Sequence, residues 1–136
     1  MNSAGILTSI DRESEQQRAA RDAFTAAGVP SQRFRLITGS ALDVLPRLID
    51  NGYDLVFVDG DKVEYGEYLD EALRVTRSGG LIVFDNALWH DRVADKSQRD
   101  PETSAIRELV QRVAADETLV PLLLPVGDGL LVVRVP

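Results

Sequence analysis

Three aspartates in this chain each close a short apolar run. Asp11 follows GILTSI (residues 5–10), Asp59 follows DLVFV, and Asp85, with Asn86 behind it, follows GLIVF. In an open α/β sheet, ligands bind outside the carboxyl ends of the strands, so acids at strand ends sit where chemistry is done. An acid ending the second strand of a nucleotide-binding half accepts hydrogen bonds from ribose hydroxyls, which is the role Asp11 would take. Asp59, Asp85 and Asn86 offer three hard oxygen ligands, an incomplete octahedron that suits Mg²⁺ or Ca²⁺ with water or substrate completing it. Each residue also has a plainer reading, because an aspartate after a strand is often only a helix N-cap, and Asp59 and Asp61 could cap as well. Three acid-terminated runs in one short chain favour a site. His90, the only histidine, reads as a loop or surface residue. Trp89 could be core or an aromatic wall for a planar substrate.

The elements that must position these residues alternate. GILTSI is a β-branched run, and residues 12–28 carry Ala20, Ala23, Phe24 and Ala27 at helical spacing with Gly28 as the stop. RFRLITG (33–39) predicts a strand, SALDVLPRLIDNG (40–52) a helix closed by Gly52, and DLVFVD (54–59) a strand. Residues 64–80 predict a helix with Tyr65, Tyr68, Leu69, Ala72 and Leu73 on one face, and LIVFDN (81–86) the next strand. After a polar loop, Asp100 and Pro101 open a further helix as N-cap and first-turn proline. The end, LVPLLLPVGDGLLVVRVP, is two apolar runs around Gly127-Asp128-Gly129, a hairpin near 119–134. Repeated βα units mean an α/β fold with a mostly parallel sheet covered on both faces, to which the hairpin adds antiparallel pairing. Asp11, Asp59 and Asp85 are expected on one edge of that sheet.

Composition narrows the class. A chain of 136 residues with 44% hydrophobic content supports one domain and one core. A net charge of −7 without a basic stripe argues against nucleic acid or an anionic membrane as partner. No apolar run approaches the roughly 18 residues of a membrane span, and the N-terminus lacks the pattern of a secretory leader. The absence of cysteine fits a reducing compartment, so a cytoplasmic protein is expected.

At residues 56–93 the spelling becomes specific. VFVDGDKVEYGEYLDEALRVTRSGGLIVFDNALWHDRV resembles the central block of the cation-dependent O-methyltransferases of the caffeoyl-CoA and catechol type. The marks are a strand ending D-x-D-K with two tyrosines after it, then a strand ending D-N-x-L-W; LLPVGDGLLVVR is similar to the family's closing hairpin. The resemblance implies a Rossmann-like methyltransferase sheet, S-adenosylmethionine as methyl donor, and a divalent cation held by Asp59, Asp85 and Asn86. It implies Asp11 on the donor's ribose, the Gly39-Ser40-Ala41 turn beside the adenine, and Tyr68 near the methionine part, with Asp59 also beside the donor. Lys62 matches the lysine assigned to the acceptor hydroxyl, and with Asp59 makes the catalytic pair; Trp89 matches an aromatic residue of the acceptor pocket. A small catechol-like acceptor and a homodimer follow from the same resemblance. The chemistry is consistent with it, since a phenol with a pKa of about 10 is only about 0.1% ionised at pH 7 and needs activation to attack a methyl group.

The family's domain begins with further helices and a strand leading into a glycine-rich loop of the E-x-G-x-x-x-G kind. This sequence has no such motif and matches the C-terminal two-thirds of that domain, from the second strand onward. The strand without a counterpart would sit between those ending in Asp11 and Asp59. Weak or absent turnover by the 136-residue chain is therefore expected, and a non-catalytic remnant that binds or dimerises is the alternative. A signalling receiver domain is a third possibility, because DLVFVDGDK also resembles a phosphoacceptor strand. It is disfavoured by the single aspartate after the first strand and the absence of lysine after VFDN.

Overall fold

The computed structural model describes residues 5–136, which divide into two compact units, one ending at Arg47 and one running Leu48–Pro136. In the first unit, β1 (Leu7–Asp11) pairs in parallel with β2 (Phe34–Thr38), in the register Leu7↔Phe34 through Asp11↔Thr38. The crossover is α1 (Ser14–Ala26). It stops at Gly28, whose φ of +72° only glycine adopts cheaply, with the amides of Ala27, Gly28 and Val29 closing onto the carbonyls of the last turn. Gln17 points from α1 into the pair. Its buried amide donates to Ser9 O (3.2 Å) and Ile37 O (3.0 Å), so one side chain ties the helix to both strands. Phe24 stacks on Phe34 at 5.0 Å between centroids. The helix expected over 40–52 is much shorter: α2 (Ala41–Val44) tightens into a 3₁₀ turn at Leu45–Arg47. Pro46, which has no amide proton for an α-helical bond, sits in that turn.

The second unit is a four-stranded sheet in the order β3-β4-β6-β5, with β3 (Tyr53–Val58) parallel to β4 (Thr76–Phe84) and β6 (Leu130–Arg134) antiparallel to both β4 and β5 (Val120–Leu124). The connection from β3 to β4 is a 3₁₀ turn (Lys62–Glu64) followed by α3 (Tyr65–Val75). Then α4 (Pro101–Ala115) precedes the hairpin, with Asp100 as N-cap accepting from the Thr103 amide and hydroxyl. Here too the sequence expectation shifts. The segment 76–80, assigned above to the end of a helix, belongs to β4. β-Branched Thr76 pairs with Tyr53, and Gly79 and Gly80 exchange backbone hydrogen bonds with Val135. A Cβ on Gly80 would lie 2.5 Å from Thr76 Cγ2 and 3.0 Å from Asp54 O, so Gly80 allows close backbone approach and Gly79 a φ of +74°, and neither marks a helix end.

Period-two alternation separates the faces of this sheet. The register aligns Val56, Ile82 and Val133 in one row and Val58, Phe84 and Leu131 in the next; all but half-buried Val56 are buried. They form the core with Leu69, Ala72 and Val75 of α3 and Ile106, Leu109 and Val113 of α4. The opposite face carries Leu55, Leu81 and Val120 in one row and Phe57, Val83 and Leu122 in another. Leu55 is 54% and Phe57 56% exposed.

The asymmetry has a measurable consequence. Ile82→Ala, on the covered face, should lower unfolding free energy by roughly 2–4 kcal/mol through lost burial and a residual cavity. Leu122→Ser, on the open face, should change it by no more than about 0.5 kcal/mol. Urea midpoints at constant m-value check both.

Candidate functional site

The register that pairs Val58 with Phe84 continues one step, with the Asp85 amide donating to Val58 O at 3.0 Å, so Asp59 and Asp85 follow the ends of neighbouring parallel strands. Asp59 is half exposed and pairs through Oδ1 with Lys62 Nζ at 3.0 Å. Lys62 is the unusual member. It is only 8% exposed, its ammonium also donates to Gly60 O (3.1 Å), and it lies 4.9 Å from the Tyr65 ring centroid and 5.8 Å from that of Trp89. A lysine this buried is tolerated because a carboxylate, a carbonyl and two aromatic faces receive its charge. Asp61, by contrast, takes the plain role: it is the N-cap of the 3₁₀ turn and accepts from the Val63 amide.

Two tyrosines of α3 floor this region. Tyr65, fully buried, donates to Asp85 O at 2.8 Å and packs on Phe84. Burial, then the Asp59 and Asp85 charges, then Tyr68 push its phenol far above the ordinary tyrosine range. Tyr68, 5% exposed, donates to the Glu64 carboxylate and packs under the strand end. A Cβ at position 60 would meet its ring and hydroxyl at 3.0 Å, which is why a glycine stands between Asp59 and Asp61.

The segment after β4 is held by the hairpin turn. The amides of Ala87 and Leu88 donate to Gly129 O (3.0 Å) and Asp128 O (2.9 Å). Asn86, Trp89, His90 and Asp91 all have positive φ, between 50° and 63°, a conformation that costs energy for a tryptophan and persists only when surroundings impose it. Trp89 lies against His90, and its indole Nε1 is buried with no hydrogen-bond partner among the described residues. His90 is an exposed loop residue, as expected from sequence. The Asp128 carboxylate reaches this segment twice, accepting from Asn86 Nδ2 (3.2 Å) and from the His90 amide (2.7 Å). Nothing in the sequence marked Asp128 beyond its place in a glycine-flanked turn, because a contact 42 residues distant in the chain leaves no local pattern.

In the first unit, Asp11 ends β1. Its carboxylate accepts from the Glu13 amide at 2.8 Å, a local turn bond that engages one oxygen, while its carbonyl accepts from the Gly39 amide at 2.9 Å. Asp11 thus lies beside the Gly39-Ser40-Ala41 turn, all of it half-buried.

Among the described residues no group of three His, Cys, Asp or Glu side chains is placed to hold a metal ion. A cation site here would consist of two carboxylates and the Asn86 carboxamide, with substrate or water completing it.

Fold and strand-end chemistry together describe an α/β domain of the methyltransferase kind. The sequence model for the O-methyltransferase family matches residues 1–135, and the chain belongs to that family. A Mycobacterium ulcerans protein provisionally named an O-methyltransferase is 49% identical over 131 residues, 96% of this chain and 58% of that protein. A solved protein of Corynebacterium glutamicum superposes with a TM-score of 0.90 at 36% identity, over 95% of this chain and 60% of its own. The O-methyltransferase TomG of Streptomyces achromogenes, involved in tomaymycin synthesis and solved with SAM, superposes at 0.89 with 28% identity, over 99% and 64%. The chain therefore spans about three-fifths of the length of the relatives it matches.

Tyr65 makes a prediction that needs no ligand. An unfolded tyrosine ionises near pH 10, whereas the folded Tyr65 keeps its proton there. Below about pH 10 both states are protonated and nothing changes. Above it only the unfolded state loses the proton, so stability falls with rising pH by up to ~1.4 kcal/mol per pH unit. Tyr65→Phe should remove that component, seen as a shallower fall in urea midpoint between pH 9 and 11.

Proposed function

We propose that this chain carries the acceptor-activating part of an S-adenosylmethionine-dependent, divalent-cation-dependent O-methyltransferase acting on a catechol-like or other small hydroxylated acceptor. The observation that carries the proposal is the meeting of Asp59 and Asp85 at adjacent strand ends with Lys62 buried beside them. Family membership and the SAM found in TomG support the donor.

The residues present fit a hard cation. All three candidate ligands are oxygen donors, Lys62 engages Asp59 through Oδ1, and the Asn86 NH₂ is turned to Asp128, which leaves the carboxamide oxygen as the ligating atom. Mg²⁺ or Ca²⁺ bound by Asp59, Asp85 and Asn86 would lower the pKa of an acceptor hydroxyl by several units. Lys62, held as an ammonium by Asp59, is suited to stabilise the negative charge that develops on that oxygen as its proton passes to water. Trp89 would offer a face to a planar acceptor, and Asp11 would accept from the donor's ribose hydroxyls beside Gly39, Ser40 and Ala41. Tyr68 is assigned to the methionine end. In the reaction itself an O–CH₃ bond forms as the S–CH₃ bond breaks, and the electron pair of that bond stays on sulfur. Positioning dominates the rate, because displacement of one reactant by about 1 Å can cost about 100-fold.

The resemblance also carries a homodimer and a cytoplasmic setting into the proposal. No helix among the described residues is long and apolar enough to cross a membrane.

Two measurements test the proposal. Mg²⁺ or Ca²⁺ should raise the melting temperature of the chain and leave that of Asp85→Ala unmoved; equal responses would count against the metal set. In the chain supplied with the N-terminal segment of the family's domain, transfer of a radiolabelled methyl group to a catechol should be chelator-sensitive and fall at least about 100-fold in kcat for Lys62→Ala. Chelator-resistant transfer would remove the cation from the account.

A further inference from the structure

The hydrogen bonds of Asp128 go beyond holding a turn. Its side chain is 18% exposed, and its two oxygens are divided between Asn86 and the next loop: Oδ2 accepts from Asn86 Nδ2 at 3.2 Å, while Oδ1 accepts from the His90 amide at 2.7 Å and lies 3.8 Å from His90 Nδ1. An ionised carboxylate can only accept, so the group that Asn86 turns toward it must be the NH₂. A carboxamide has one atom that a hard cation can take, its oxygen, and one group that it cannot. Without a fixed neighbour, rotation by half a turn exchanges the two.

We propose that Asp128 is a positioning residue that sets the rotamer of the Asn86 carboxamide and so makes an asparagine usable as a cation ligand. This rests on the reading of Asp59, Asp85 and Asn86 as the cation site and adds to it the device that orients the one neutral ligand. The backbone around it is built to the same end. The Asp128 and Gly129 carbonyls take the Leu88 and Ala87 amides, and Gly129, at φ +88°, stands where a Cβ would lie 2.5 Å from Leu88 Cγ. The turn can therefore approach the 86–90 segment closely enough for its aspartate to reach across. Outer residues that orient metal ligands typically matter by 10- to 100-fold in affinity.

Near-isosteric exchange separates this role from support of the loop. In Asp128→Asn the remaining oxygen can still accept from the His90 amide, but the new NH₂ faces Asn86. The Asn86 carboxamide must then turn its oxygen toward position 128 and its NH₂ toward the cation. In Asn86→Asp/Asp128→Asn the new NH₂ donates to a carboxylate at 86, so the bond between 86 and 128 is restored with its polarity reversed, the His90 amide keeps its acceptor at 128, and an oxygen again faces the cation. The experiment is Mn²⁺ titration of the 136-residue chain and these variants, followed by loss of the free-ion electron paramagnetic resonance signal, with Trp89 fluorescence reporting the loop. The expected result is a 10- to 100-fold weaker Kd for Asp128→Asn, recovery in the double variant to within about threefold of the parent, and an unchanged apo fluorescence spectrum in both. Equal affinity of the parent and Asp128→Asn overturns the orienting role, and so does equal loss in both variants. Absence of Mn²⁺ binding by the parent chain overturns the cation site itself, and is seen without reference to any variant.

Discussion

Parallel strands deliver their last residues to the same end of a sheet, and the register Val58↔Phe84 delivers Asp59 and Asp85 there together. The rest of the second unit follows from that pairing. The cores of both strands are apolar, so the rows Val56–Ile82 and Val58–Phe84 bind α3 to the sheet, and α3 in turn supplies Tyr65 and Tyr68 beneath the acids. A one-residue slip between β3 and β4 would turn Ile82 and Phe84 to the open face and separate the two carboxylates along the strands. Core packing and site geometry are set by the same register.

Placing charge at a packed strand end has a cost, and the surrounding groups offset it individually. Lys62 balances Asp59 and is itself received by Gly60 O and two rings. The Asp85 carboxylate accepts from the Asn86 amide at 2.6 Å, and its carbonyl takes the Tyr65 hydroxyl. The positive φ values at Asn86 and Trp89–Asp91 are stabilised by bonds from the Gly127–Gly129 turn, whose hairpin is anchored by antiparallel pairing of β6 to β4. The C-terminal hairpin is thus both an edge of the sheet and the clamp on the loop that follows β4.

Much of this is legible in the sequence because it is local. The alternation of apolar runs with helical spacings places β1, β2, β3, α4 and the hairpin to within about two residues, and acids closing apolar runs mark the strand ends. Two elements depart from the expected pattern, one for a local reason and one for a tertiary one. Pro46 cut a helix short, and Gly79-Gly80, which look like a helix stop, are strand because Val135 pairs with them. Lys62 stands out only through the family motif, since nothing in its immediate neighbours signals that it is buried. Asp128 carries only a turn signal in the sequence; its partners Asn86 and His90 lie 42 and 38 residues away.

The account stands or falls on whether Asp59, Asp85 and Asn86 act as one cation site, and a second acidic group offers an internal control. Glu67, Asp70 and Glu108 line a groove between α3 and α4, where Asp70 is paired with Arg112. Paramagnetic broadening by substoichiometric Mn²⁺, read residue by residue in the ¹⁵N-labelled chain, distinguishes the two. The account predicts that the amides of Asp59, Gly60, Asp85, Asn86 and Ala87 broaden first, while those of Glu67, Asp70 and Glu108 stay sharp. Broadening centred on the α3–α4 groove, with the strand ends unaffected, would contradict it.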